Sequence, residues 1–264
     1  MNQPGGIMTL RRLMIVFVLF SSGALYSADR SVFEDLDKPP EGAYAGQIFA
    51  GASLGMGLVS GSVIKAEKDF VSGTTYSFED SEVTKKVELQ HYSFAFSMFG
   101  EYMPLDHFGV KGKMSRALVA QKSTFGADYP NKQGFLLKTW NITFAPVYHV
   151  TVRREWDVTI APFLGYSIGT FNAIPVAKGL FDTIDSKTSQ SNNSLIYGIE
   201  INGTLYFSGG FFLSLGAEWT RYNISIDNDI NRTSPSALTY NNGSKSGNID
   251  TYIIQISAGY AFRN

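Results

Sequence analysis

The stretch from Asp250 to Phe262 reads DTYIIQISAGYAF, and its period decides the fold. Tyr252, Ile254, Ile256, Ala258, Tyr260 and Phe262 share one phase of a two-residue repeat. Thr251, Gln255, Ser257 and Gly259 share the other, with Ile253 its one apolar member. A strand points successive side chains to opposite faces. One face here is greasy with aromatics at both ends, and the other is small or polar. A membrane barrel strand presents those two faces to lipid and to its lumen.

The same alternation recurs seven more times. Strand one is expected from Ala43 to Val59, with Tyr44, Ile48, Leu54, Met56 and Leu58 in the apolar phase. Strand two sets Tyr92, Phe94, Phe96, Met98 and Tyr102 against His91, Ser93, Ser97 and Glu101. Strand three sets Phe108, Val110, Met114 and Leu118 against Lys111, Lys113 and Ser115. Strand four sets Trp140, Ile142, Phe144 and Tyr148 against Asn141, Thr143 and His149. Strand five sets Trp156, Ile160, Leu164 and Tyr166 against Asp157, Thr159 and Ser167. Strand six sets Tyr197, Ile199, Ile201 and Leu205 against Glu200, Asn202 and Thr204. Strand seven sets Phe211, Leu213, Leu215 and Trp219 against Ser214, Glu218 and Thr220.

Three connections are short, near Met103 to His107, Thr151 to Glu155 and Ser208 to Gly210. Four are long and polar: Gly61 to Glu88, Ser123 to Leu136, Phe171 to Ser194 and Asp227 to Asn248. Short turns at one end and long loops at the other give an outer-membrane barrel of eight antiparallel strands, with periplasmic turns and extracellular loops. The aromatics sort with them. Tyr44, Tyr102, Phe108, Tyr148, Trp156, Tyr260 and Phe262 sit beside short turns or termini, and Trp140 and Trp219 sit nearer the long loops. Amphipathic rings favour the headgroup level at both interfaces. A soluble barrel alternates too, but it has no reason to place aromatics at both ends of its strands.

The N-terminus agrees. Arg11 and Arg12 precede an apolar run from Leu13 to Phe20, then SSGALYSA. That is the order of a secretory signal peptide, too short in its apolar core to span a bilayer. The expected organisation is a signal peptide over 1–28, a periplasmic tail over 29–42 and the barrel over 43–264. Removing two arginines takes the net charge from −1 to about −3, which argues against a nucleic-acid partner. There is no cysteine, so thiolate metal sites and disulfides are out of reach. No cofactor and no metal are expected.

At this point the chain resembles the small eight-stranded outer-membrane proteins of the OmpA, OmpX and OmpW type. The likeness to OmpW rests on ISAGYAF at the close, APFLGYSIGTF in strand five and YMPLDHFGVKGK across the first short turn. It implies residence in the outer membrane of a double-membrane bacterium, among lipid and a lipopolysaccharide-like glycolipid, after insertion by the barrel assembly machinery. It also implies a porin or channel for small hydrophobic solutes. Such barrels commonly end on an aromatic, whereas Arg263 and Asn264 follow Phe262 here. The alternative function is a non-transporting surface barrel whose long loops act in adhesion or bind a host ligand.

Eight strands leave an interior that side chains can fill. Its phase carries Glu101, Lys111, Lys113, Asp157, Glu200 and Glu218, a candidate charge network. Glu101, Glu200 and Glu218 are expected to share Lys111 and Lys113, with Glu101 and Lys111 nearly opposed across a turn. Arg116 falls in the lipid phase, where a bulge would turn it inward or its stem would let it snorkel. His91 and His149 face the lumen at opposite ends, which argues against a joint metal site, and no catalytic triad is legible, so no enzyme is expected. Pro146 and Pro162 lie in the apolar phase of strands four and five and are nearly opposed if the turn centres near Arg154. Proline cannot donate to a ladder. The pair therefore marks either bulges that ease curvature or a lateral seam in the wall.

Overall fold

The computed structural model describes residues 42–65, 68, 88–124, 132–172, 189–225 and 246–262. The expected signal peptide, nearly all of the tail and most of the long loops lie outside these residues. Eight strands follow one another: β1 (Ile48–Ser60), β2 (Glu88–Leu105), β3 (Phe108–Thr124), β4 (Lys132–His149), β5 (Trp156–Asn172), β6 (Ser189–Tyr206), β7 (Phe211–Ser225) and β8 (Ser246–Phe262). Each pairs antiparallel with its neighbour, and β1 pairs with β8 to close the barrel.

The alternation sets which face each residue takes. Leu54, Phe96, Phe144, Leu164, Leu215 and Ile256 all stand outward and exposed, whereas Ser53, Ser97, Thr143, Ser167, Ser214 and Ser257 are buried inside. A water-soluble protein would reverse this order. Only a hydrocarbon solvent makes such an exterior favourable, and closure leaves no strand edge to be satisfied there. The outward phase expected for every strand is the observed one.

The stagger follows from the register. Asp250 pairs with Arg221, then Tyr197, Leu164, Phe144, Gly112, Gly100, Ala50 and finally Tyr260. One circuit thus moves ten residues along β8, from 250 to 260. At about 3.3 Å per residue and a tilt near 40°, ten residues climb roughly 25 Å, the height of the apolar band of such barrels. Trp140, Tyr166, Tyr197, Trp219 and Tyr252 ring the loop end of this band. Tyr102, Phe108, Tyr148, Trp156, Phe211, Tyr260 and Phe262 ring the turn end.

Some boundaries differ from expectation. β1 begins at Ile48, not Ala43. Tyr44 therefore precedes the strand and is no member of a strand-borne girdle. Gly42–Gln47 instead folds against the periplasmic mouth, where Gly46 N–H donates to Met103 C=O at 2.7 Å and Arg153 N–H to Ala43 C=O at 3.1 Å. β4, β6 and β8 extend further toward the loops than their hydrophobic pattern does. Asn192, expected in a loop, is buried within β6. Above the apolar band the outer face no longer needs to be greasy, so the alternation fades while the ladder continues.

The short turns need their own chemistry. His107 (φ 70°) and Arg153 (φ 55°) take the left-handed conformation, and Gly209 (φ 77°) takes it without steric cost. His107 is held there by its Nδ1–H, which donates to His149 C=O at 2.7 Å.

Candidate functional site in the lumen and the β4–β5 wall

The lumen is built in layers. At the periplasmic end Phe49 (β1), Phe99 (β2), Tyr206 (β6) and Phe212 (β7) meet Ala43 and Met103 in one buried cluster. Phe49 lies 5.9 Å from Phe212 edge-on and 6.2 Å from the His149 ring, stacked. These rings occupy the inward phase, beside the short turns. Three phenylalanines in an otherwise polar phase, Phe49, Phe99 and Phe212, are the sequence signal for this floor.

Against this aromatic floor sits His149. Its Nδ1 faces Asp157 Oδ2 at 2.5 Å and its Nε2 faces Glu101 Oε1 at 2.6 Å. Each ring nitrogen is thus engaged by a carboxyl oxygen, which fixes the ring between the two acids. Asp157 also accepts from Thr151 N–H and hydroxyl, each at 3.0 Å. The sequence places His149 in the lumen but gives it no charge partner.

The second layer is the lysine–glutamate cluster. Lys111 donates to Glu200 Oε1 at 2.5 Å, Lys113 donates to Glu200 Oε2 at 2.7 Å, and Lys113 also bonds Glu218. Asn202 Nδ2 donates to Glu200 Oε1 at 2.7 Å, and the Thr220 hydroxyl to Glu218 Oε1 at 2.8 Å. The expected Glu101–Lys111 pair is corrected. The two are opposed in register, but Glu101 turns to His149 while Lys111 crosses the lumen to Glu200. Burying charge is tolerated only when it is paired and hydrogen-bonded, which every member of both layers is. A cavity of about 30 Å³ separates the layers, room for a water molecule and not for a solute.

The outer half of the lumen is different. Thr139, Asn141 and Ser167 share it with Val119, Leu137, Ile196, Ile224 and Ile249, all buried. Asn141 Nδ2 donates to Ser115 at 3.2 Å and to the Tyr222 hydroxyl at 3.0 Å. No charged side chain among the described residues is buried in this half on the inward face.

The wall beside the lysine–glutamate layer carries the two prolines. β4 and β5 pair without interruption from Leu137↔Phe171 to Phe144↔Leu164, then resume only at Tyr148↔Ile160. The register is the same on both sides of the gap, which passes four residues on each strand. The prolines therefore do not mark bulges. They face each other, and the hydrogen bonds that the pair would exchange are missing. Behind them, facing the lumen, lie Ala145, Val147, Ala161 and Phe163 in a small apolar cluster. Lys113 Nζ stands 5.4 Å from the centre of the Phe163 ring.

Arg116 stays in the lipid phase. The nearby bulge lies between Val119 and Ala120 and does not turn it inward. Its guanidinium sits 5.3 Å from the Trp140 ring centre.

An apolar exterior between two aromatic girdles, wrapped round a polar and charged interior, is the build of an outer-membrane barrel of a double-membrane bacterium. No family model matches the chain, and no curated protein matches it by sequence. Solved structures of similar fold include the outer membrane protein OprG from Pseudomonas aeruginosa, 13% identical, with 85% of this chain and 100% of that one covered and a TM-score of 0.49. They also include Ail, the attachment invasion locus protein of Yersinia pestis, in complex with the heparin analogue sucrose octasulfate. It is 14% identical over 83% of this chain and 99% of its own, with a TM-score of 0.40. The N-terminal β-barrel domain of Pseudomonas aeruginosa OprF is 9% identical over 83% and 100%, with a TM-score of 0.38.

Proposed function

We propose that this barrel passes small apolar solutes inward from the cell surface and releases them sideways, between β4 and β5, into the membrane. The observation that carries the reading is the lapse in the β4–β5 ladder at Pro146 and Pro162. A solute entering the outer half meets aliphatic side chains. Below, the lysine–glutamate layer and the aromatic floor bar an axial path. The lapse stands abreast of that layer, and its lumen side is lined by alanine, valine and phenylalanine. Parting the strands there breaks no ladder bonds beyond those the prolines already remove. This route is what the resemblance to OmpW implies. The protein is proposed to be non-catalytic, and His149, with both nitrogens engaged by carboxyl groups, has none free to act as a base.

The sealed periplasmic half equally suits the second reading, a surface barrel whose loops bind a partner and whose lumen carries nothing. A disulfide across the seam separates the two. The chain has no cysteine, so Val147→Cys with Ala161→Cys introduces a single, opposed pair. Uptake of a small apolar dye into cells should fall when the pair is oxidised and return on reduction. Uptake equal to that of cells lacking the protein, in either redox state, would leave the surface-barrel reading.

A further inference from the structure

One pair of lipid-facing charges is neutralised locally. Arg221, beside Trp219, holds Asp250 with two hydrogen bonds, at 2.7 and 2.9 Å. The β3–β4 face differs. Arg116 is opposite Trp140 in register, at the outer aromatic girdle. Lys138 lies two residues nearer the loops on β4, its amine 4.8 Å from the Phe135 ring centre. Lys122 continues the outward phase of Arg116 along β3. None of the three makes an ion pair among the described residues. Three cations thus climb one strip of wall from the girdle outward, each at a height where headgroups lie.

Beside and below Arg116 the wall is concave. A shallow groove of about 800 Å³ crosses the outward faces of β7, β8, β1, β2 and β3. Leu54, Met56, Phe94, Phe96 and Ile254 line it, and Arg116 borders it. Five neighbouring strands at about 4.8 Å spacing give it an arc of roughly 19 Å around the wall, along which several acyl chains can lie side by side.

We propose that this strip and groove bind one molecule of a phosphorylated, multi-acyl glycolipid of the outer leaflet. Its acyl chains lie in the groove, and its phosphates meet Arg116 and Lys138, with Lys122 above them. The guanidinium fork suits a phosphate bidentately, and the Trp140 face holds it in place. A groove broader than two chains and a ladder of cations rather than one favour this occupant over a two-chain phospholipid.

The test uses the purified barrel in neutral detergent, with bound lipid counted by native mass spectrometry and thermal midpoints taken alongside. The probes are a bisphosphorylated hexa-acyl glucosamine disaccharide, its dephosphorylated form, and phosphatidylglycerol. The parent should bind the first roughly tenfold more tightly than either other, the scale of one charge-assisted contact. R116Q and K138Q should each lose about that factor, and R116K should fall between R116Q and the parent. R221Q, whose arginine already has Asp250, should bind as the parent does. Should R116Q fail to fold, K138Q and R116K give the same ordering. Equal affinity for phosphatidylglycerol, for the dephosphorylated lipid, or in the folded Arg116 and Lys138 variants overturns the proposal. Solute release through β4–β5 does not enter the readout, so either idea can fail without the other.

Discussion

β1 and β8 meet through thirteen consecutive pairs, from Ile48 opposite Phe262 to Ser60 opposite Asp250, whereas β4 and β5 drop three pairs in mid-strand. The first seam joins the two ends of the barrel across nearly the whole described sequence. The second joins neighbours across a six-residue turn, 150–155. Intuition puts the weak point where the chain ends meet. Here it lies inside a local hairpin, where two prolines remove donors that no register shift can restore. The interior is matched to this difference. Small hydroxyls such as Ser53 and Ser257 line the β1–β8 seam, while the lysine–glutamate layer packs behind β4–β5. We read that layer as a brace. Glu200, opposite Ala161 in register, holds two lysines from β3 across the lumen and so ties β3 to β6 around the weak hairpin.

The largest test of this asymmetry is Glu200→Gln. It leaves Lys111 buried without a carboxylate among the described residues, and breaking such a pair typically costs about 3–5 kcal/mol. Unfolding in urea from lipid vesicles should show that loss. Adding Lys111→Met should recover part of it, because the stranded charge goes too. The coupling partner of Lys111 is therefore Glu200, not the register-opposed Glu101. In the single variant, hydrogen exchange should quicken at Phe144 and Leu164 more than at Leu54 and Ile256, the opposed pair of the β1–β8 seam. A uniform rise would mean the ions stabilise the whole barrel and brace neither seam in particular.

A smaller effect is expected on the lipid side. Ile256→Arg, on the intact seam, and Leu164→Arg, beside the gap, should each cost about 2–4 kcal/mol near the midplane. Both side chains are exposed, Ile256 at 64% and Leu164 at 60%, so hydrophobic burial within the protein does not separate them. If the gap lets water or snorkelling reach position 164, the Leu164 variant should fall at the low end. Equal losses in refolding titrations would show a wall equally dry at both places.

The outward faces were legible in the sequence because lipid imposes one rule on every exterior position. Each strand could be read alone, and every phase came out as expected. The opposition of Pro146 and Pro162 was legible for a similar reason, since a local hairpin centred near 154 fixes its own register. Charge partners were not legible. Lys111 and Glu200 are 89 residues apart, and their meeting depends on the stagger of the whole barrel, which no single strand encodes. Glu101 was assigned to its cross-strand neighbour, yet the floor of Phe49 and Phe212 brings His149 within its reach. Those phenylalanines were visible as breaks in a polar phase. Their consequence, a closed periplasmic mouth, required four strands to converge.

The smallest effect bears most directly on the proposed route. Replacing Pro146 or Pro162 with threonine supplies a backbone donor and a β-branched side chain suited to a strand. Each restored hydrogen bond is worth about 0.5–1.5 kcal/mol. Each ring nitrogen faces the other proline's carbonyl, so either single change mends one bond and the double change rebuilds the pair. Stability should therefore rise in two similar steps, with a protected amide appearing at each replaced position, 146 and 162. Apolar dye uptake should fall in the same order, least in the parent and most in the double variant, while the β1–β8 seam keeps its protection throughout. A double variant that is more stable yet passes dye as the parent does would separate the two observations. The prolines would then relieve wall curvature, and any solute path would have to run along the lumen axis, through the lysine–glutamate layer. In that case Glu218→Gln, which loosens the layer at its less buried acid, should change uptake where mending the wall did not.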